Sequence, residues 1–169
     1  MSEAAVVELN RSQAEGPVVA VHPGKPLSLP RDAIRAEALS WLRTPYHPGA
    51  AVKGAGVDCA RLLVSVFEAC GIMENPELPE VPADWFLHTG EEVFLQTLPR
   101  YAEPVEPPYQ EGDILTYQFG RCVSHSALYI GRGELIHVIK GAGVMVEREN
   151  APILASRFAG AWRLRCLTS

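Results

Sequence analysis

Of the four cysteines in this chain, Cys59 stands where a thiol can become a nucleophile. It follows a segment rich in glycine and proline (residues 44–57) and opens a stripe in which Cys59, Leu62, Leu63, Val66, Phe67 and Cys70 recur at i, i+3, i+4, i+7, i+8 and i+11. That spacing predicts a helix with Cys59 in its first turn, and Gly71 stands where a left-handed residue would end it. Unpaired N–H groups and the helix dipole favour a thiolate at such an end. The competing reading is a small buried core residue, as most free cysteines are. Cys70, Cys122 and Cys166 keep that reading, one deeper on the stripe and two in or beside strands. No CxxC pair or disulfide-scaffold spacing is present, so free thiols are expected.

A cysteine nucleophile needs a base, usually histidine, and the base benefits from a third group that orients it. His125 and His137 lie in the strand-rich half. If Gly131-Arg132-Gly133 is the hairpin loop, Leu128 faces Ile136, and His125 becomes the diagonal neighbour of His137 on one face of the sheet. A four-residue loop would put the two imidazoles on opposite faces. Either histidine alone also reads as a hydrogen-bonded structural residue, and His22, His47 and His88 carry no pattern. Cys122, His125 and His137 are three possible zinc ligands, but neighbours on one strand point poorly toward a single ion and no fourth ligand is evident, so no metal is expected. No carboxylate pair stands out for glycoside cleavage.

These residues sit in a chain of 169 residues, 47% hydrophobic and 21% charged, the balance of one globular domain. Residues 1–29 read as a Pro/Gly-rich N-terminal arm, and residues 30–169 as the catalytic domain. A first helix is predicted over residues 30–43 from Ile34, Ala38, Trp41 and Leu42. A short third helix is predicted after a Thr89/Glu92 capping box. Residues 113–119, 125–130, 134–139, 143–149 and 161–167 read as strands. Helices first and strands afterward give an α+β domain, its helices packed on an antiparallel sheet. With 15 basic against 20 acidic residues the net charge is −5, which argues against nucleic acid and anionic lipid as partners. No apolar run is long enough to span a bilayer, and the first residues lack a signal-peptide pattern.

Four blocks resemble, in order, the NlpC/P60 cysteine peptidases that cut peptidoglycan stem peptides. They are TPYHPGA (residues 44–50), GVDCARLL (56–63), EGDILTY (111–117) and SHSALYIGRGELIHV (124–138). The resemblance implies a papain-like fold with Cys59 as nucleophile, His125 as general base and later acid, and His137 as the residue that orients His125. It implies that Tyr46 lines the site near the oxyanion and that Asp58 belongs to the substrate-side wall. Ala60-Arg61 stands where the family usually has Ser-Gly, and the Arg61 guanidinium becomes a candidate partner for a substrate carboxylate. The implied reaction is hydrolysis of γ-D-glutamyl-diaminopimelate-type amide bonds, without a cofactor. The W-L-R-T-P-Y and G-V-D-C blocks most resemble the phage-associated branch, which implies a tail or gene-transfer-particle protein. Such a protein would have tail-tip or tail-assembly partners, reside in the virion tail or in the host cytoplasm before assembly, and act in the cell wall or periplasm. The rival readings are an amidase or acyltransferase on the same scaffold and a structural tail protein without activity.

Overall fold

A computed structural model describes residues 31–82, 85–88 and 90–167. The arm expected at residues 1–29 lies outside the described residues.

Helix α1 (Arg31–Leu39) buries Ile34 and Ala38. It stops four residues short of the predicted end at Arg43. Trp41, Leu42 and Thr44 bond back to the carbonyls of Ala38, Leu39 and Trp41, an i to i−3 pattern that tightens the last turns. Arg43 at φ 67° then turns the chain away. Trp41 stays buried through this tightening, whereas Leu42 is left exposed. A small hairpin follows, β1 (Ala51–Val52) with β2 (Gly56–Val57).

Helix α2 (Cys59–Ala69) matches the predicted stripe and buries Leu62, Leu63, Val66 and Phe67. Each such side chain contributes roughly 1.5–3 kcal/mol by leaving water. The helix closes as a Schellman motif: Ile72 N–H reaches Phe67 O at 2.9 Å and Gly71 N–H reaches Glu68 O at 2.9 Å, with Gly71 at φ 67°.

Two short helices come next, α3 (Trp85–His88) and α4 (Val93–Thr97), then a 3₁₀ turn over Leu98–Arg100. The predicted capping box is not made. Thr89 lies outside the described residues, and Glu92 precedes α4 without capping it, its carboxylate accepting instead from Val123 N–H at 2.9 Å.

The remaining chain forms β3 (Ala102–Pro104), β4 (Ile114–Phe119), β5 (Cys122–Tyr129), β6 (Glu134–Ile139), β7 (Gly143–Arg148), the short helix α5 (Pro152–Ala155) and β8 (Phe158–Leu164). These strands make one antiparallel sheet in the order β3-β8-β4-β5-β6-β7. Its two faces bury separate apolar clusters. Ile114, Leu128 and Ile136 meet α1 and α2, while Leu115, Tyr117, Ala127 and Leu135 pack on the other side with Leu154 of α5. The architecture is the expected α+β arrangement.

Candidate active site

Asp58 sets the start of α2. Its backbone is extended (φ −102°, ψ 173°), and Oδ1 accepts the Arg61 N–H at 2.9 Å as an N-cap. Oδ2 accepts from Gly49 N–H at 2.9 Å and from Arg61 Nη1 at 2.8 Å. One carboxylate therefore ties the loop before the helix to the helix itself. A bridge between Tyr46 and Val57 holds the same loop from the other side. Arg61 lines the cleft and its guanidinium is held by Asp58 through Nη1.

Cys59 occupies the first position of α2, half-buried against the core. Its sulfur donates to Ser124 O at 3.9 Å. Burial and then the Asp58 carboxylate push the thiol up to about 11, against the dipoles of Ser126 and the Ala60 N–H, which pull it down. Burial and Asp58 thus oppose the pull toward thiolate that the helix end exerts. Desolvation and a neighbouring negative charge outweigh a few amide dipoles.

The hairpin has the predicted three-residue loop, with Leu128 opposite Ile136 and Tyr129 opposite Leu135. Those two pairs are the whole β5–β6 ladder, and below them the strands diverge. His125 Nε2 lies 3.0 Å from His137 Nδ1, in edge-to-face geometry with ring centroids 5.3 Å apart. His137 is fully buried and His125 nearly so. Burial and then His137 lower His125 to about 3. Burial also lowers His137, although Glu147 opposes that shift, so both rings rest neutral. The His125 ring is wedged between Phe119 (centroids 5.2 Å) and Tyr117 (6.1 Å).

The structure thus joins the two histidines directly, while the thiol reaches the carbonyl of the residue just before His125. Among the hydrogen bonds of the described residues, none links Cys59 with His125. A register shift in the β4–β5 ladder, where Tyr117 faces His125 but Gln118 faces Val123, leaves Ser124 unpaired. The sulfur meets the strand at this bulge. Ser124 Oγ is occupied by Phe119 O at 2.8 Å, and Ser126 Oγ is buried without a hydrogen-bond partner. Cys122 is buried in β5, and among the described residues no three of His, Cys, Asp or Glu cluster to hold a metal.

Tyr46, Asp58, Cys59, Arg61, Ser124 and Ser126 all line one cleft of about 420 Å³, whose inner wall is apolar, with Phe67, Met73 and Leu98. Burial raises the Tyr46 phenol, and Cys59 and Asp58 add to it, so this hydroxyl stays protonated beside the sulfur. Three residues of the site were missed in the sequence. Ser124 and Ser126 carried no signal beyond flanking His125. Glu147 places Oε2 3.2 Å from His137 Nε2, off the N–H axis, as a close contact with the neutral ring rather than a formed hydrogen bond. The β6–β7 register would have found it, because Leu135 faces Glu147 and so makes Glu147 the diagonal neighbour of His137.

A sequence profile described as the NlpC/P60 family matches residues 43–163. Solved structures similar to the chain include a protein of the NLP/P60 family, similar to lipoprotein, from Staphylococcus aureus subsp. aureus Mu50 (22% identity, TM-score 0.58). An NlpC/P60 family protein from Bacillus cereus ATCC 10987 matches at 24% identity and TM-score 0.59. In both, 79% of this chain is covered, but only 41% and 40% of the other chain. The chain therefore spans about two fifths of their length. The peptidoglycan hydrolase RipB from Mycobacterium tuberculosis is 18% identical at TM-score 0.54, covering 82% of this chain and 65% of that one. No curated protein sequence matches.

Proposed function

The chain belongs to the NlpC/P60 family, and from that premise we propose that it is a cysteine peptidase which hydrolyses amide bonds in the stem peptides of peptidoglycan. The observation that carries the reading is the buried, neutral His125–His137 pair, built into the strand whose backbone the Cys59 sulfur touches. A neutral imidazole can take a proton and a thiol has one to give. The His125 ring stands with Tyr117 on the sheet face away from α2, so the transfer requires the ring to reach the cleft that holds Cys59.

In this reading the Cys59 sulfur attacks the amide carbonyl as its proton passes to His125. The backbone N–H groups at the start of α2, with Tyr46, stabilise the tetrahedral oxyanion. His125 then protonates the departing amine, leaving a thioester on Cys59. A water deprotonated by His125 hydrolyses that thioester, and the proton returns to the thiol. Because thiol and imidazole both rest neutral, the proton moves with the attack rather than before it. His137 keeps the His125 ring in position throughout.

The finer reading is cleavage of the γ-D-glutamyl to diaminopimelate bond by a protein delivered in a phage tail or a related gene-transfer particle, with tail proteins as partners and the cell wall or periplasm as the place of action. The delivery reading is supported by the likeness of the W-L-R-T-P-Y and G-V-D-C blocks to that branch. The test is mass spectrometry of purified stem-peptide fragments after incubation with wild type and Cys59→Ala. New fragments that appear only with wild type, split after the D-glutamyl residue, are expected. Products that carry a transferred acyl group would instead assign an acyltransferase.

A second reading, a non-catalytic tail protein, is favoured by one observation: no hydrogen bond joins Cys59 to His125. No cleavage of stem-peptide fragments by folded wild type, indistinguishable from Cys59→Ala, would establish it over the peptidase.

A further inference from the structure

We propose that Glu147 is a positioning residue that sets the direction of the hydrogen-bond chain through His137 to His125, and so decides whether His125 presents a base. The inference builds on the peptidase reading above but is tested independently of it. Its basis is the juxtaposition of three groups: His125 Nε2 is 3.0 Å from His137 Nδ1, and His137 Nε2 is 3.2 Å from Glu147 Oε2.

A chain of two neutral imidazoles is ambiguous by itself. Each ring carries one N–H and one lone pair, so the bond between them can run either way. In one direction His125 Nε2–H donates to His137 Nδ1, leaving the lone pair on His125 Nδ1, where it can accept a proton. In the other, His137 Nδ1–H donates to His125 Nε2, and His125 Nδ1 carries hydrogen. A ring in that second state cannot act as a base toward the thiol.

An ionised carboxylate has no proton to donate, so it breaks the tie. With Glu147 Oε2 facing it, His137 Nε2 is the nitrogen that carries the hydrogen. Because burial keeps the ring neutral, Nδ1 is then bare and must accept from His125 Nε2–H. The free nitrogen of His125 becomes the lone-pair nitrogen. Among the described residues, no other hydrogen bond or ion pair reaches a nitrogen of either ring. Tyr117, the other polar group against the His125 ring, has a buried hydroxyl with no hydrogen-bond partner, and Met145 opposite His137 offers none. Glu147 is partly exposed, with its carboxylate at the outer end of the chain.

The experiment is long-range ¹H–¹⁵N NMR of the histidine side chains in the full chain, wild type against Glu147→Leu and Glu147→Gln. It reads the tautomer whether or not the protein cleaves peptidoglycan. In wild type, both His125 and His137 should carry their proton on Nε2. Glu147→Leu should bring the opposite tautomer of His137 to a comparable population. Glu147→Gln, whose amide oxygen can still accept, should hold the wild-type tautomer. If the chain cleaves stem peptide, Glu147→Leu should lower kcat about 10- to 100-fold with KM little changed, and Glu147→Gln should restore most of it. A proton on His137 Nδ1 in wild type, or a tautomer unmoved by Glu147→Leu, overturns the proposal. An inactive wild type with the expected tautomers would remove the peptidase reading and leave this one standing.

Discussion

His125 Nε2 and His137 Nδ1 meet at 3.0 Å inside the sheet, where β5 and β6 have stopped pairing. The divergence of the strands lets two diagonal neighbours turn their rings edge to face. His137 holds His125 by one bond, so removing it frees the base to rotate. His137→Ala should reduce kcat by roughly 10²-fold or more with a smaller effect on KM, whereas His137→Gln, which keeps an acceptor, should lose less. Steady-state kinetics on stem-peptide fragments would check this. Equal kcat in wild type and His137→Ala would remove His137 from the machinery.

The Cys59 thiol, pushed up to about 11, and His125, lowered to about 3, describe a resting pair without charge. Alkylation of Cys59 should therefore be slow at neutral pH and still be rising above pH 9. Iodoacetamide kinetics in a Cys70→Ala/Cys122→Ala/Cys166→Ala background isolate this sulfur. A rate plateau between pH 5 and 8 would reveal a preformed thiolate–imidazolium pair and contradict the picture.

Asp58 does two separable jobs, capping α2 and raising the Cys59 thiol by its charge. Asp58→Asn keeps one capping oxygen for the Arg61 N–H but loses the charge and, with an amide NH2 in place of Oδ2, the Gly49 tether, so it should speed Cys59 alkylation at a fixed pH with a smaller loss of Tm than Asp58→Ala. Asp58→Ala loses the cap as well, at a further cost of about 1 kcal/mol. Thermal melts and alkylation rates on the two variants distinguish the jobs. Identical Tm losses would show that the charge and the tether, not the cap, hold the helix start.

His125 also predicts how stability varies with acid. Its folded value, about 3, lies below the ordinary 6.5, so between those values the unfolded chain binds a proton that the folded one refuses. The stabilisation is complete above pH 6.5 and is lost as pH falls toward 3. Urea unfolding across that window should show a steeper fall for wild type than for His125→Gln. Parallel curves would mean that His125 protonates without opposing burial.

What the sequence disclosed was whatever rests on periodicity. The stripe from Cys59 to Cys70 became α2 because six apolar positions agree on one face, and Gly71 closed it because only a left-handed residue completes that cap. The hairpin register followed from a loop with two glycines at positive φ around Arg132. The chemical state of the thiol was not legible. A helix-end position is local, whereas burial and the approach of β5 are made by residues 65 positions away. The Asp58 partner of Arg61, at i, i+3, was likewise not read from the sequence. Of the Thr89/Glu92 motif, Thr89 lies outside the described residues, and Glu92 accepts from a backbone donor on β5, a contact made only by the fold. Glu147 emerges only once the β6–β7 register is known.

Gly143 links this legible frame to the cleft. It opens β7 at φ 79°, and a Cβ built there would stand 2.7 Å from Thr44 O. The contact is close because Val144 N–H donates to Thr44 O at 2.8 Å and Arg43 N–H donates to Val144 O at 2.9 Å, docking the segment that leads to Tyr46 onto the edge strand. Gly143→Ala must therefore strain a left-handed backbone and push two main chains apart, neither of which can yield as a flexible side chain would. The expected cost is roughly 2–4 kcal/mol, read as a lowered Tm. Hydrogen exchange should rise at Val144, Arg43 and Val57 before it rises in α2, since the loop is released ahead of the core. A melt within a degree of wild type, with Val144 still protected, would show that the strand edge and the loop are not coupled through this glycine.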